Sequence, residues 1–286
     1  MYTIYCGLYY WRSICCVLNG WPNSRTALTL GANWIGGSVP NTNGGDTAQI
    51  NAGAVTYTPG GDLAIHAGGA LQINGGSWTQ AGGIAWIQLA GGSINVAGGT
   101  FSQGTAGNIV LNASSAINVS SGTANFTGNF IYEPVNTGAL SITGGNVNVA
   151  NEFKPITTFN MSAGTLTANL ISFADGPGSI NFSGGSISVN GAGVNSGFYG
   201  GGTKSLNFTS GSSGSLFFSS YTLAALSADG FLTNGTIRFD GAVDALQFDT
   251  VESGGGVLVS LVPEPSTYAL LLLGTGAVLL FRRRQA

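Results

Sequence analysis

The chain has 286 residues, 48 of them glycine, with 7% charged and 10% aromatic side chains and a formal charge of −3. So few charges argue against a highly charged disordered tail, and the regularly placed aliphatic residues argue against a linker. Between residues 26 and 262 only Lys154, Lys204 and Arg238 are cationic, against ten carboxylates. That net charge of −7 leaves no basic patch for nucleic acid.

Residues 1–25 read MYTIYCGLYYWRSICCVLNGWPNSR. The segment has no basic n-region, Arg12 interrupts its apolar run, and no small-x-small cleavage site is clear. It reads as a degraded or misassigned export signal, expected to be helical or poorly ordered. All three cysteines, Cys6, Cys15 and Cys16, fall here, so the rest of the chain has no disulfide framework and no thiolate metal site.

Residues 26–220 form a body rich in Gly, Asn and Ser. It opens on Trp34, Pro40, Asn41, Asp46 and Ile50, in a W…PN…D-x-A-x-I pattern. The pattern resembles the entry segment of autotransporter-type β-solenoid passengers. By that resemblance Trp34 would cap the open end of a core, while Asp46 would hold the turn after Gly44-Gly45.

Beyond it the phrases ALQINGGSWTQ (from Ala70), SINVAGGTFSQ (Ser93), AINVSSGTANF (Ala116) and LSITGGNVNVA (Leu140) repeat one pattern. FNMSAGTLTAN (Phe159), SINFSGGSISV (Ser179) and SLNFTSGSSGSLFF (Ser205) continue it. Each alternates apolar with polar, which is the strand period of two, and a glycine pair or Ser-Gly supplies a turn. The second glycine falls at Gly76, Gly99, Gly122 and Gly145, then less regularly at Gly164, Gly185 and Gly211. An interval of about 23 residues predicts a solenoid.

The predicted fold class is all-β, a parallel β-helix of about eight or nine coils and roughly 40 Å long. Ile73, Ile94, Ile117, Ile142, Met161, Ile180 and Leu206 are expected to stack as an apolar column. Asn and Ser at the turns are expected to form side-chain ladders. An antiparallel sandwich or barrel is the competing fold, but it would show paired hairpins.

Residues 221–262 change rhythm and are read as a β cap over the last rung, with Val257–Val262 as its last strand. Asp229-Gly230 and Asp240-Gly241 are predicted turns between strands. Asp240, Asp244 and Asp249 do not have the spacing of a calcium loop. His66 is the only histidine, so no metal-binding pair exists, and its alternating context makes it a rung residue. Asn112, Asn118, Asn125 and Asn181 sit in Asn-x-Ser/Thr triplets that composition alone explains. No cofactor is expected.

Residues 263–286 carry three distinct pieces. Pro263, Glu264 and Pro265 make an extended stretch without two of its backbone donors. Tyr268 to Phe281 is an uncharged apolar run that includes Leu270, Leu271, Leu272, Leu273, Val278, Leu279 and Leu280. Arg282, Arg283 and Arg284 then close it as a stop-transfer cluster that keeps to the cytoplasmic side. The run is short for a full span of roughly 20 residues, but snorkelling arginines and local thinning let it serve as a short transmembrane helix.

This tail resembles the PEP-CTERM sorting signal of Gram-negative bacteria. The resemblance implies export, a transient inner-membrane intermediate and processing by an exosortase that reads Pro263-Glu264-Pro265. The body would then be released or displayed at the cell surface. Passengers in that family are envelope and matrix proteins, often linked to exopolysaccharide. The expected function is a non-enzymatic surface or matrix protein. The alternative is a β-helical polysaccharide lyase or glycoside hydrolase, and three cations are few for an anionic substrate.

Overall fold

A computed structural model describes residues 15–18, 45–57, 62–80, 86–104, 107–112, 114–128, 130–131, 138–155, 159–173, 179–191, 198–199 and 205–262. Its strands follow the phrases. β1 is Cys15–Leu18, and the first turn of the coil is β2 (Thr47–Ile50), β3 (Ala54–Tyr57) and β4 (Leu63–His66). The second is β5 (Ala70–Ile73), β6 (Ser77–Gln80) and β7 (Ile87–Ala90). In the third and fourth the first two sides merge into long strands that bend at the glycines. These are β8 (Ser93–Gln103) with β9 (Ile109–Asn112), and β10 (Ala116–Phe126) with β11 (Phe130–Ile131). β12 (Ala139–Lys154) and β13 (Phe159–Ser172) each run round all three sides. Then come β14 (Ser179–Phe182), β15 (Ser186–Val189) and β16 (Phe198–Tyr199), followed by β17 (Ser205–Phe208) and β18 (Ser215–Phe218).

Pairing between turns is parallel and in step. One ladder joins β2, β5, β8, β10, β12, β13, β14, β17 and finally β19 (Ile237–Phe239). A second runs from β3 to β18, and a third from β4 to β16. The body is therefore an all-β parallel solenoid. About five turns have all three strands described in full, and two more close on the two-residue β11 or β16. That is fewer than the eight or nine expected coils. The first ladder does carry nine strands from β2 to β19, but the third stops at β16.

Inside, apolar files replace the single predicted column. Counting back from the second glycine, position −3 stacks Ile73, Val96, Val119, Ile142 and Met161. Position −5 stacks Leu71, Ile94, Ile117 and Leu140, and continues through Phe159, Ile180, Leu206 and Ile237. The predicted column mixed the two, because residues two apart on a strand face the same way and both positions hold aliphatics. On the second side Trp78 stacks on Phe101 with ring centroids 4.7 Å apart and planes 2° from parallel, and Tyr57 lies beyond at 5.9 Å. Trp78 and Phe101 are fully buried, and the indole N–H of Trp78 has no hydrogen-bond partner among the described residues.

The glycine file explains the interval. A Cβ on Gly76 would lie 2.2 Å from the carbonyl oxygen of Gly53, and one on Gly164 would lie 2.2 Å from that of Gly145. The corner backbones of successive turns thus touch, leaving no room for a side chain.

The chain ends differ from expectation. Within the N-terminal segment, Cys15–Leu18 is a strand pairing in parallel with β2, and the rest of 1–25 lies outside the described residues, as does Trp34. At the other end, Leu223–Asp229 is not strand but helix α1. Thr222 N-caps it by accepting the Ala225 amide proton, and Gly230 closes it at φ +66. Asp240-Gly241 is the predicted turn, both residues at positive φ, bridging Phe239 to Ala242. β20 (Phe248–Ser253) and β21 (Gly256–Leu261) form a hairpin, and β21 lies antiparallel along β18. The open edge of the last second-side strand is thereby paired.

Candidate functional site

Side chains that do not face the core line the outside of the first two sides. Residues 47–57, 70–80, 93–103, 116–126, 139–149, 159–168, 179–189 and 205–218 hold those sides, and they contain no Asp, Glu, Lys, Arg or His. Their outward positions are Asn, Ser, Thr and Gln throughout most of the length. Stacking like charges a strand spacing apart would be repulsive, so a neutral composition is what a long in-register ladder tolerates.

The outward amides bond along the rod. Asn118 Nδ2 donates to Asn95 Oδ1 at 2.8 Å, and Asn181 Nδ2 donates to Asn160 Oδ1 at 3.2 Å. On the second side Asn148 Nδ2 donates to Asn125 Oδ1 at 2.8 Å, and Asn125 Nδ2 to Ser102 Oγ at 3.2 Å. Thr165 Oγ1 donates to Asn146 Oδ1 at 2.7 Å. An amide offers two donors and two acceptor lone pairs, more than these ladder bonds use. Along the outer face of the first side, up to its glycine corner, lies a surface groove of about 430 Å³, lined chiefly by Ser141, Thr143, Asn160, Ser162, Asn181 and Ser183. Such a surface can hold an uncharged polar ligand by many hydrogen bonds.

Among the described residues, charged side chains fall on the third side, in the cap and at Asp46 just before β2. Asp62 accepts the Trp86 amide proton at 2.9 Å and the Gln88 side-chain amide at 2.6 Å. His66 ends β4 with an exposed side chain, and Lys154 pairs with Glu152 at 3.5 Å. In the cap Asp240 Oδ1 accepts the Ser210 amide proton at 2.8 Å, and Asp244 caps the 3-10 turn Ala245–Gln247. These carboxylates have structural work, and no group of three or more metal-ligating side chains occurs among the described residues.

Two tyrosines are perturbed. Burial first, and the Asp62 carboxylate second, push Tyr57 above the ordinary phenol range. Tyr221 packs against Phe218 at 5.1 Å and Phe231 at 6.1 Å. Burial and then its hydrogen bond to Asp229 raise its phenol well above the usual 10.

Sequence reading missed Gln80 and Gln103, which point inward and are buried. Gln103 donates to the Gly107 carbonyl and accepts the Gly128 amide proton at 3.2 Å, tying down the loops after two successive turns. A glutamine four residues after the second glycine in two consecutive phrases was the available signal.

Pro263, Glu264, Pro265, the run from Tyr268 to Phe281 and Arg282, Arg283 and Arg284 all lie outside the described residues. Among the described residues no helix is long and apolar enough to cross a membrane. The family model for the PEP-CTERM protein-sorting motif matches residues 261–285. Comparison with curated proteins and with solved structures finds no match. The chain therefore carries a PEP-CTERM sorting motif behind a β-solenoid body, and the motif implies an exported protein that passes through the membrane and is recognised by exosortase.

Proposed function

We propose that the protein is a non-enzymatic contact rod, sorted by exosortase and left at the cell surface or in the extracellular matrix, where it holds exopolysaccharide. One observation carries this reading: the charge-free file of amides and hydroxyls along two sides of the solenoid, interrupted only at Arg238, where the cap strand β19 joins the first ladder. Outward groups repeat at the strand spacing of about 4.8 Å, which offers an extended chain the same donors and acceptors at every step. The groove beside Asn160 and Asn181 offers such a chain a recess.

Affinity electrophoresis of the exported protein tests it, in gels containing dextran as a neutral glycan or alginate as a polyuronate. The neutral glycan should retard the protein and the polyuronate should not. Asn160→Asp should abolish most of the retardation while leaving the far-ultraviolet circular dichroism unchanged. Equal mobility in all gels would contradict the reading.

A further inference from the structure

The five exposed large hydrophobic residues among those described are Leu223, Val243, Leu246, Val251 and Val262, and all lie in residues 221–262. The described residues of the solenoid, about three times as many, expose none. Leu246 is the extreme case at 88% exposure, although it sits on a rigid support. Its amide donates to Asp244 Oδ1 at 3.1 Å, and Gln247 Nε2 donates to Asp244 Oδ2 at 3.2 Å. The Val262 amide, the last before Pro263, donates to the Gln247 carbonyl at 2.8 Å. Leu246 is therefore presented beside the point where the sorting tail leaves the folded cap.

Chain length makes this position consequential. Pro265 is three residues from Val262, so it lies within about 11 Å of it in any conformation. Tyr268, where the apolar run begins, lies within about 21 Å. A membrane enzyme that grips Pro263-Glu264-Pro265 has no room to avoid the cap. We infer that Leu246 and Val262 form a docking surface for the membrane-embedded processing enzyme, so that its recognition site extends from the tripeptide onto the folded domain. The inference rests on the sorting reading and adds a second contact to it. An apolar residue held out on a rigid turn, next to a tail that must be handed to a membrane protein, fits a partner with an apolar rim. The lipid surface is the weaker occupant, because the cap is anionic, with five carboxylates and Arg238 alone to balance them.

The experiment is pulse–chase of the full chain in a host carrying its exosortase, with intact mass reporting the processed fraction. Leu246→Ser should process roughly tenfold more slowly than wild type, with an unchanged melting temperature because the side chain is solvent-exposed. Inserting twelve Gly and Ser residues between Val262 and Pro263 should slow processing by a similar factor and make Leu246→Ser silent on that background. His66→Ser, on the exposed third side, should process like wild type. Unprocessed wild type would mean that the sorting reading itself fails. Wild type and Leu246→Ser processed at equal rates would overturn the docking surface alone. So would Leu246-dependent binding of the mature body to phosphatidylethanolamine–phosphatidylglycerol vesicles with processing unaffected, which would assign the surface to lipid.

Discussion

A methyl group added at Gly122 would sit 2.3 Å from the carbonyl oxygen of Gly99, and Gly122 holds φ +75. Gly211 has nearly the same φ, +73, but nothing lies within 4 Å of its missing Cβ. The two positions therefore separate backbone strain from the steric demand of stacked corners. Gly211→Ala should cost about 1 kcal/mol, the left-handed penalty alone, whereas Gly122→Ala should cost several times more in urea unfolding. Tyr221 gives a pH-dependent counterpart. Its folded pKa is raised, so its contribution is fully present below the unfolded value near 10 and is lost as pH rises from there through the folded value. Melting curves between pH 8 and 12 should show a falling alkaline limb that is shallower in Tyr221→Phe. Some slope will persist from Tyr57, which is shifted in the same direction.

At the scale of elements, the register between β8 and β10 sets Thr100 opposite Thr123, and that between β10 and β12 sets Thr123 opposite Asn146. Deleting residues 100–122 joins Gly99 to Thr123 and removes one circuit in register. Because each turn touches only its neighbours, the shortened chain should fold cooperatively with the same circular dichroism per residue. Deleting residues 100–111 instead should give an aggregated product, since that circuit keeps its first side but loses its second and nearly all of its third and can no longer close. This modularity is also why so much of the fold was legible in the sequence. A stacked corner forces glycine, so Gly76, Gly99, Gly122 and Gly145 mark the turns. The apolar files were less legible, because Leu71 and Ile73 are alike in type and both face inward; only their offset from Gly76 separates them. Helix α1 was misread because its seven residues were taken together with the alternating strands that follow them. Its capping residues, Thr222 and Gly230, were visible, but only Leu226 of the helix is buried, so the helical period left little trace. The amide ladders were expected at the turns, but Asn95–Asn118, Asn125–Asn148 and Asn160–Asn181 run along the strand faces; the scarcity of charge that such stacking requires was already legible in the sequence.

For the whole molecule, the sorting motif implies export, and it was legible in the sequence because its Pro-Glu-Pro, apolar and arginine pieces follow one another in order. Each arginine costs about 2.5 to 3.5 kcal/mol near the bilayer centre, so Arg282, Arg283 and Arg284 should stall the chain with its body outside. Replacing all three by serine should let the tail slip through unprocessed. Changing Pro263, Glu264 and Pro265 to alanine should leave the protein anchored and uncut in membrane fractions. Intact mass of the wild-type protein recovered outside a host with its exosortase tests this account most directly. The account predicts a mature chain that has lost the apolar run and the three arginines. A mature chain still ending at Ala286 would contradict it.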